Sequence, residues 1–285
     1  MLTRFGDQIS SIYLSIDRES APLFISRFWP TLYRLPNLKI LRLSATIRDR
    51  ELHYFGDPQT FPCLSQLESL DLIYFKRNTT IEGFPLALPF VQHYGSQLKV
   101  FACQGAHLGY PANSSETLNT LLPNLKCFKL APLRRRAVMK LAMVQWKLEQ
   151  LHLYHLKDIA STLQPIYLID IMRVLNNFGE TLENLELMVT LSRFDEVTEE
   201  RVDTQEMNIL PKLRTMTSKQ KNMKELWFCE FLERSCVNLK ELHFQMSRGE
   251  VIQAEYVTLS KQLFEILRKL EKITFWGNPK VVLYR

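Results

Sequence analysis

The sequence predicts an α/β solenoid, in which short parallel strands stack one per unit and helices or loops close each unit. Three observations predict it. The first is an apolar skeleton, apolar-x-x-apolar-x-apolar. It recurs at Ile9-Ile12-Leu14, Leu38-Leu41-Leu43, Leu67-Leu70-Leu72, Leu98-Phe101-Cys103 and Leu125-Phe128-Leu130. It continues at Leu148-Leu151-Leu153, Leu182-Leu185-Leu187, weakly at Leu213-Met216, then at Leu239-Leu242-Phe244 and Leu270-Ile273-Phe275. The second is spacing: successive copies start 23 to 34 residues apart, the period of a repeat array. The third is parity. The last two apolar positions are two apart, so on an extended chain they share one face and the residue between them faces away. The rest of each unit, about twenty residues, is enough to return through a helix or turn and start the next strand in parallel. No unit buries its own apolar face; stacked neighbours do.

The elements follow in order. Met1 to Gly6 reads as the last turn of a helix, because Phe5-Gly6 has the form of Tyr94-Gly95 and Phe178-Gly179. In each pair an aromatic residue closes a helix and Gly is expected in the left-handed position after it. Ser20-Ala21-Pro22 opens a first connecting helix with Ser as N-cap, and Leu23, Phe24, Phe28 and Leu32 form its apolar stripe. Arg48 to Pro62 is polar and turn-rich, hence loop. Phe84 to Tyr94 holds Pro85 and Pro89 and is at best a short helix. Ser115 begins a helix that stops before Pro123, and Arg134 to Trp146 forms another, basic at its start. Gln164 to Phe178 is the most apolar connecting helix and Phe194 to Leu210 the most acidic. Asn222 to Arg234 and Glu255 to Leu267 are the last two. Trp276-Gly277-Asn278-Pro279 then turns the chain into an apolar tail, Val281 to Tyr284, expected as a closing edge strand.

L-x-x-L-x-L is the core of a leucine-rich repeat. The long irregular units and the LPNLK and LENLEL phrasing resemble the repeats of F-box/leucine-rich-repeat proteins across nearly all of residues 1 to 285. The resemblance implies one leucine-rich-repeat domain over 1–285: a horseshoe of about ten irregular repeats with parallel strands on its concave face and helices and loops outside. It also implies the substrate-recognition arm of a cullin-based ubiquitin ligase. The concave face would hold the protein target, and an F-box would dock Skp1 and the cullin. No LP-x-E helical segment precedes the first repeat in these residues, so the Skp1–cullin partnership requires an F-box upstream. One departure from the family stands out. The Asn or Cys expected three residues after the last leucine is absent, since Leu43 is followed there by Thr46, Leu72 by Phe75 and Leu153 by Leu156. The side-chain ladder of regular repeats is therefore expected to be missing.

Composition narrows the classes. Apolar residues make up 46% of the chain, enough for a continuous core. The net charge of +6 permits an acidic partner but argues against nucleic acid as the principal one. No apolar h-region opens the chain, and no apolar run approaches the roughly 18 residues of a membrane span. The five cysteines are scattered and odd in number, which reads as buried free thiols in a reducing compartment. An intracellular protein, in cytoplasm or nucleus, is expected.

Catalytic and cofactor motifs are absent: there is no G-x-x-x-x-G-K-[ST], G-x-G-x-x-G or G-x-S-x-G. His152 and His155 form the one close histidine pair. They lie three apart, on opposite sides of a strand, which opposes shared metal ligation. No catalytic, cofactor or metal residues are assigned, and an enzyme is the least expected class. Arg134-Arg135-Arg136 with Lys140 is the sharpest basic cluster. It reads first as a solvated helix start and second as a phosphate, nuclear-import or RNA patch.

The outward residue of each strand carries the functional expectation. Tyr13, Arg42, Asp71, Lys129, His152, Tyr154, Glu186, His243, Gln245 and Trp276 are the candidate protein-binding residues of the concave face. This mixed-charge column with aromatic members, about 5 Å per strand, suits a protein or peptide partner. Two readings stay open: recognition arm of a ubiquitin ligase, or a free-standing repeat scaffold or inhibitor with no role in ubiquitination.

Overall fold

A computed structural model describes residues 6–17, 24–45, 61–74, 87–104, 115–131, 133, 135–154, 168–189, 208–246 and 254–285. The chain divides into two compact units, Met1–Pro132 and Leu133–Arg285. The expected helix at 194–210, apart from its last residues, lies outside the described residues. So do His155, most of the 48–62 loop and the start of the first connecting helix.

In the first unit five strands pair in chain order and all in parallel: β1 (Ser11–Ile16), β2 (Ile40–Ala45), β3 (Ser69–Tyr74), β4 (Val100–Gln104) and β5 (Cys127–Ala131). The apolar skeleton sets the register. Leu41, Leu70, Phe101 and Phe128 align across the strands, as do Leu43, Leu72, Cys103 and Leu130, and all eight are buried. The upstream member of each copy (Leu38, Leu67, Leu98, Leu125) is buried as well. A one-residue slip would turn every one of these side chains to the other face, so the pattern admits one register. As an edge strand, β1 leaves Ile12 and Leu14 half-buried. Behind the strands an aromatic cluster fills the core. The rings of Trp29, Phe61 and Phe90 lie 4.8–5.5 Å apart, and the buried Tyr94 hydroxyl donates to the Pro62 carbonyl at 2.8 Å.

The second unit repeats the plan with β6 (Gln150–Tyr154), β7 (Asn184–Met188), β8 (Thr215–Lys219), β9 (Glu241–Gln245) and β10 (Lys272–Trp276), all parallel. The expected tail strand forms as β11 (Val281–Tyr284), antiparallel to β10. The weak copy at Leu213-Met216 is a genuine unit, because Met216 aligns with Leu185 and Leu242. Its third skeleton position is the fully buried Ser218, whose hydroxyl accepts from Asn222 Nδ2 at 3.0 Å. Asn222 also donates to the Val189 carbonyl at 3.2 Å. A satisfied polar pair replaces the apolar side chain there.

Among the described residues six α-helices close units: α1 (Ala87–Tyr94), α2 (Ser115–Leu121), α3 (Arg135–Leu141), α4 (Leu168–Phe178), α5 (Leu226–Ser235) and α6 (Ala254–Ile266). α1 and α4 end on the expected Tyr94 and Phe178. The first connection departs from expectation. Instead of an α-helix, a π-helical turn at Phe24–Phe28 runs into a 3₁₀ helix at Trp29–Arg34. Pro30 is the reason, since it lacks an N–H and its ring clashes with a carbonyl one α-turn back. Trp29, which the apolar stripe omitted, is buried beside Leu32.

The expected helix turn before Gly6 lies outside the described residues, and the glycines expected as left-handed caps have a different reason from the one expected. None of Gly6, Gly95 or Gly179 has a left-handed φ. A Cβ on Gly6 would sit 2.5 Å from the Arg34 carbonyl oxygen, and one on Gly95 would collide with the carbonyl of Leu121. Glycine is needed at those two places because the next turn of chain passes too close for any side chain.

A side-chain ladder exists, but not where leucine-rich repeats are expected to carry it. The residue just before the first skeleton leucine donates to a backbone carbonyl one copy earlier. Asn37 reaches Asp7 at 2.8 Å, Asn124 reaches Ser96 at 2.7 Å and Asn238 reaches Pro211 at 2.7 Å. The longer Gln97 reaches Leu64 at 2.7 Å, and Thr181 reaches Leu148 at 2.7 Å. These bonds tie turn to turn where the strand pairing begins.

Candidate protein-binding strand faces

In the first unit the outward column reads Tyr13, Arg42, Asp71, Ala102, Lys129, each directly opposite the next. Pairing distance brings the first three into contact. Arg42 Nε lies 2.7 Å from Asp71 Oδ2, and the guanidinium carbon lies 6.0 Å from the centre of the Tyr13 ring. Tyr13 is 60% exposed. Asp71 is nearly enclosed, and its Oδ1 has no hydrogen-bond partner. Burial pushes its carboxyl above the ordinary value, against the opposing pull of Arg42 and, more weakly, Lys129.

In the second unit the column is His152, Glu186, Thr217, His243, Thr274. Two clusters stand on it. In the first, His152 Nδ1 lies 2.6 Å from Glu186 Oε2, and the Tyr154 hydroxyl donates to the same oxygen at 2.6 Å. The His152 and Tyr154 rings are stacked, 6.5 Å apart. Three of the expected site residues therefore form one hydrogen-bonded group. The His152 Nε2 is buried and unpartnered.

The second cluster is built from β9 and β10. Lys272 Nζ donates to Glu241 Oε2 at 3.1 Å, and His243 Nε2 sits 3.3 Å from that oxygen. Lys272, with a weaker contribution from His243, holds the Glu241 carboxyl below the ordinary range. Burial lowers the His243 pKa from the ordinary 6.5, with Glu241 opposing. The Trp276 indole meets the His243 ring edge-on at 6.2 Å, and Lys280 Nζ lies 4.2 Å from the indole centre. Gln245, the outward residue of β9 beyond His243, is exposed. Glu241, Thr274 and Lys272 share the outward parity of the expected residues without being among the ten, and Lys280 lies outside any strand parity. Lys280 follows a turn, where strand parity gives no signal.

Within the basic cluster, whose Arg134 and Arg136 side chains lie outside the described residues, Arg135 departs from the reading of a solvated helix start. Its Nε pairs at 3.0 Å with Oδ2 of Asp170 on α4, a residue with no exposed surface. It is the counter-ion of a buried carboxylate. Among the five free cysteines, Cys103, Cys127 and Cys236 are buried as expected, whereas Cys63 is exposed. Among the described residues, no group of three or more metal-ligating side chains converges, and no helix is long and apolar enough to cross a membrane.

These observations define an α/β protein whose parallel strands, laid in register by a recurring apolar skeleton, present polar and aromatic faces. No family profile matches the chain, and no curated protein matches it. Among solved structures it is similar to a chain of the Rad7 and Elc1 complex in yeast, with a TM-score of 0.36 and 14% identity. The match covers 86% of this chain and 71% of that one. Nothing about this chain's partners follows from a likeness of that extent.

Proposed function

We propose that the chain is a leucine-rich-repeat solenoid that binds another protein on its strand faces, as the substrate-recognition part of an F-box-type ubiquitin ligase. The observation that carries the binding role is the outward column. Within each unit it holds aromatic, cationic and anionic side chains already fixed by contact with one another, as in Tyr13-Arg42-Asp71 and His152-Tyr154-Glu186. Side chains held in place before binding lose less entropy on association than mobile ones. Tyr, Trp and Arg are also the residue types on which binding energy concentrates. The ligase role rests on the style of the repeats and is an argument from resemblance. Catalysis has no part in this reading, and an intracellular location goes with it.

Two measurements test it. A photo-crosslinking amino acid at position 42 or 186 is expected to capture a protein in cells, and the same group at the exposed Lys261 of α6 is not. Equal capture from both positions overturns the strand-face reading. Co-purification of the full-length gene product with Skp1 and a cullin tests the ligase role. Its absence leaves a free-standing repeat scaffold or inhibitor.

A further inference from the structure

The geometry points to the Trp276 cluster of the second unit as the seat of an acidic peptide segment that lays an apolar side chain on the indole and a carboxylate between Lys272 and Lys280. The inference rests on the strand-face reading and gives it a place and a partner chemistry.

The cluster is built before any partner arrives. The Trp276 backbone is anchored by the Met246 N–H, which donates to its carbonyl at 3.0 Å. Gly277 holds the turn tightly against β9, since a Cβ there would sit 2.8 Å from Met246 Sδ. The indole packs edge-on against His243, itself held by Glu241, which is in turn held by Lys272. Yet the indole stays 44% exposed, an uncommon state for tryptophan at a rigid position.

Charge selects the occupant. Lys272 and Lys280 bring two ammonium groups, Glu241 brings one carboxylate, and His243 is neutral at pH 7 because burial lowers its pKa. The local balance is positive. The Lys280 ammonium stands over one face of the ring, so a ligand that packs on the open part of the indole meets a cation beside it. Such a seat takes a side chain with an apolar body followed by an Asp or Glu. A lysine-rich segment is repelled.

The test begins with random dodecapeptides displayed on phage and selected against the full chain. Enriched peptides are then synthesised with a fluorophore and measured by anisotropy on the parent protein and on Lys280→Glu, Trp276→Ala and Glu186→Gln variants, whose folding is checked by their thermal midpoints. The expected peptides carry Asp or Glu beside an apolar residue. They lose about tenfold in affinity on Lys280→Glu and on Trp276→Ala. Enrichment of basic or uncharged peptides overturns the inference, as does a failure to enrich any. Acidic peptides indifferent to Lys280→Glu also overturn it; if Glu186→Gln weakens them, the strand-face reading survives with its seat elsewhere. A labelled polyuridine oligonucleotide that binds more tightly than the peptides, with a steep salt dependence, replaces the peptide by RNA and overturns it too.

Discussion

Asn124 donates its side-chain Nδ2 to the backbone carbonyl of Ser96 at 2.7 Å, one repeat back along the chain. The same bond recurs from Asn37 to Asp7 and from Asn238 to Pro211. Asparagine immediately before the first skeleton leucine is thus a tie between successive turns. Asn124→Ala is expected to destabilise the protein by about 1 kcal/mol, the usual net worth of a hydrogen bond. Urea denaturation measures it. Asn124→Gln, whose amide reaches as Gln97 does, is expected to recover part of the loss.

Arg135 and Asp170 make an asymmetric pair. Asp170 is fully enclosed and Arg135 is partly exposed, so removing the arginine strands a carboxylate in the core. Arg135→Met is expected to cost on the order of 3 kcal/mol, whereas the double variant Arg135→Met with Asp170→Leu costs much less. Equal losses in both would show that the pair contributes packing alone.

His243 links stability to acid. Its folded-state pKa is lowered below the ordinary 6.5 by burial, so above that value both folded and unfolded forms are neutral and nothing is lost. As pH falls below 6.5 the unfolded chain takes a proton that the folded one resists, and stability declines. Denaturation midpoints measured at pH 7.5 and pH 5 should separate for the parent chain. They should separate less for His243→Gln.

Asp71 has the opposite sign. Burial raises its carboxyl pKa above the ordinary 3.8 despite Arg42, so its stabilising contribution is present below that value and is lost as pH rises through the folded-state value. At neutral pH the charged form is held at a cost. Asp71→Asn is expected to leave thermal stability unchanged or raise it at pH 7, the mark of an acid retained for something other than folding. A clear fall in the midpoint would assign Asp71 a structural role through Arg42.

Much of the fold was legible from residue spacing. Leu41, Leu70, Phe101 and Phe128 align because the skeleton that predicts their burial also leaves only one register that buries them all. The tail strand and the helix ends at Tyr94 and Phe178 were legible for the same reason, since each depends on local pattern. The first connection was not, because Pro30 turned an apolar stripe of helical period into π and 3₁₀ turns. Nor were the glycine contacts, which depend on a carbonyl of the following turn.

The site was half legible. Parity named which residues face outward, and ten of them were expected to bind. What parity could not supply is who touches whom. The bonds from His152 and Tyr154 to one oxygen of Glu186, and the Lys280 ammonium over Trp276, depend on side-chain reach across strands and around a turn.

The sequence by itself determined the strand order, the register and the outward column, because period and parity act on every residue of a strand alike. Only the tertiary structure decided that Arg135 serves a buried acid, that Asn124 ties two repeats and that Trp276 stands exposed on a rigid base. Those outcomes turn on distances of a few ångströms between residues remote in the chain, and no local pattern encodes them.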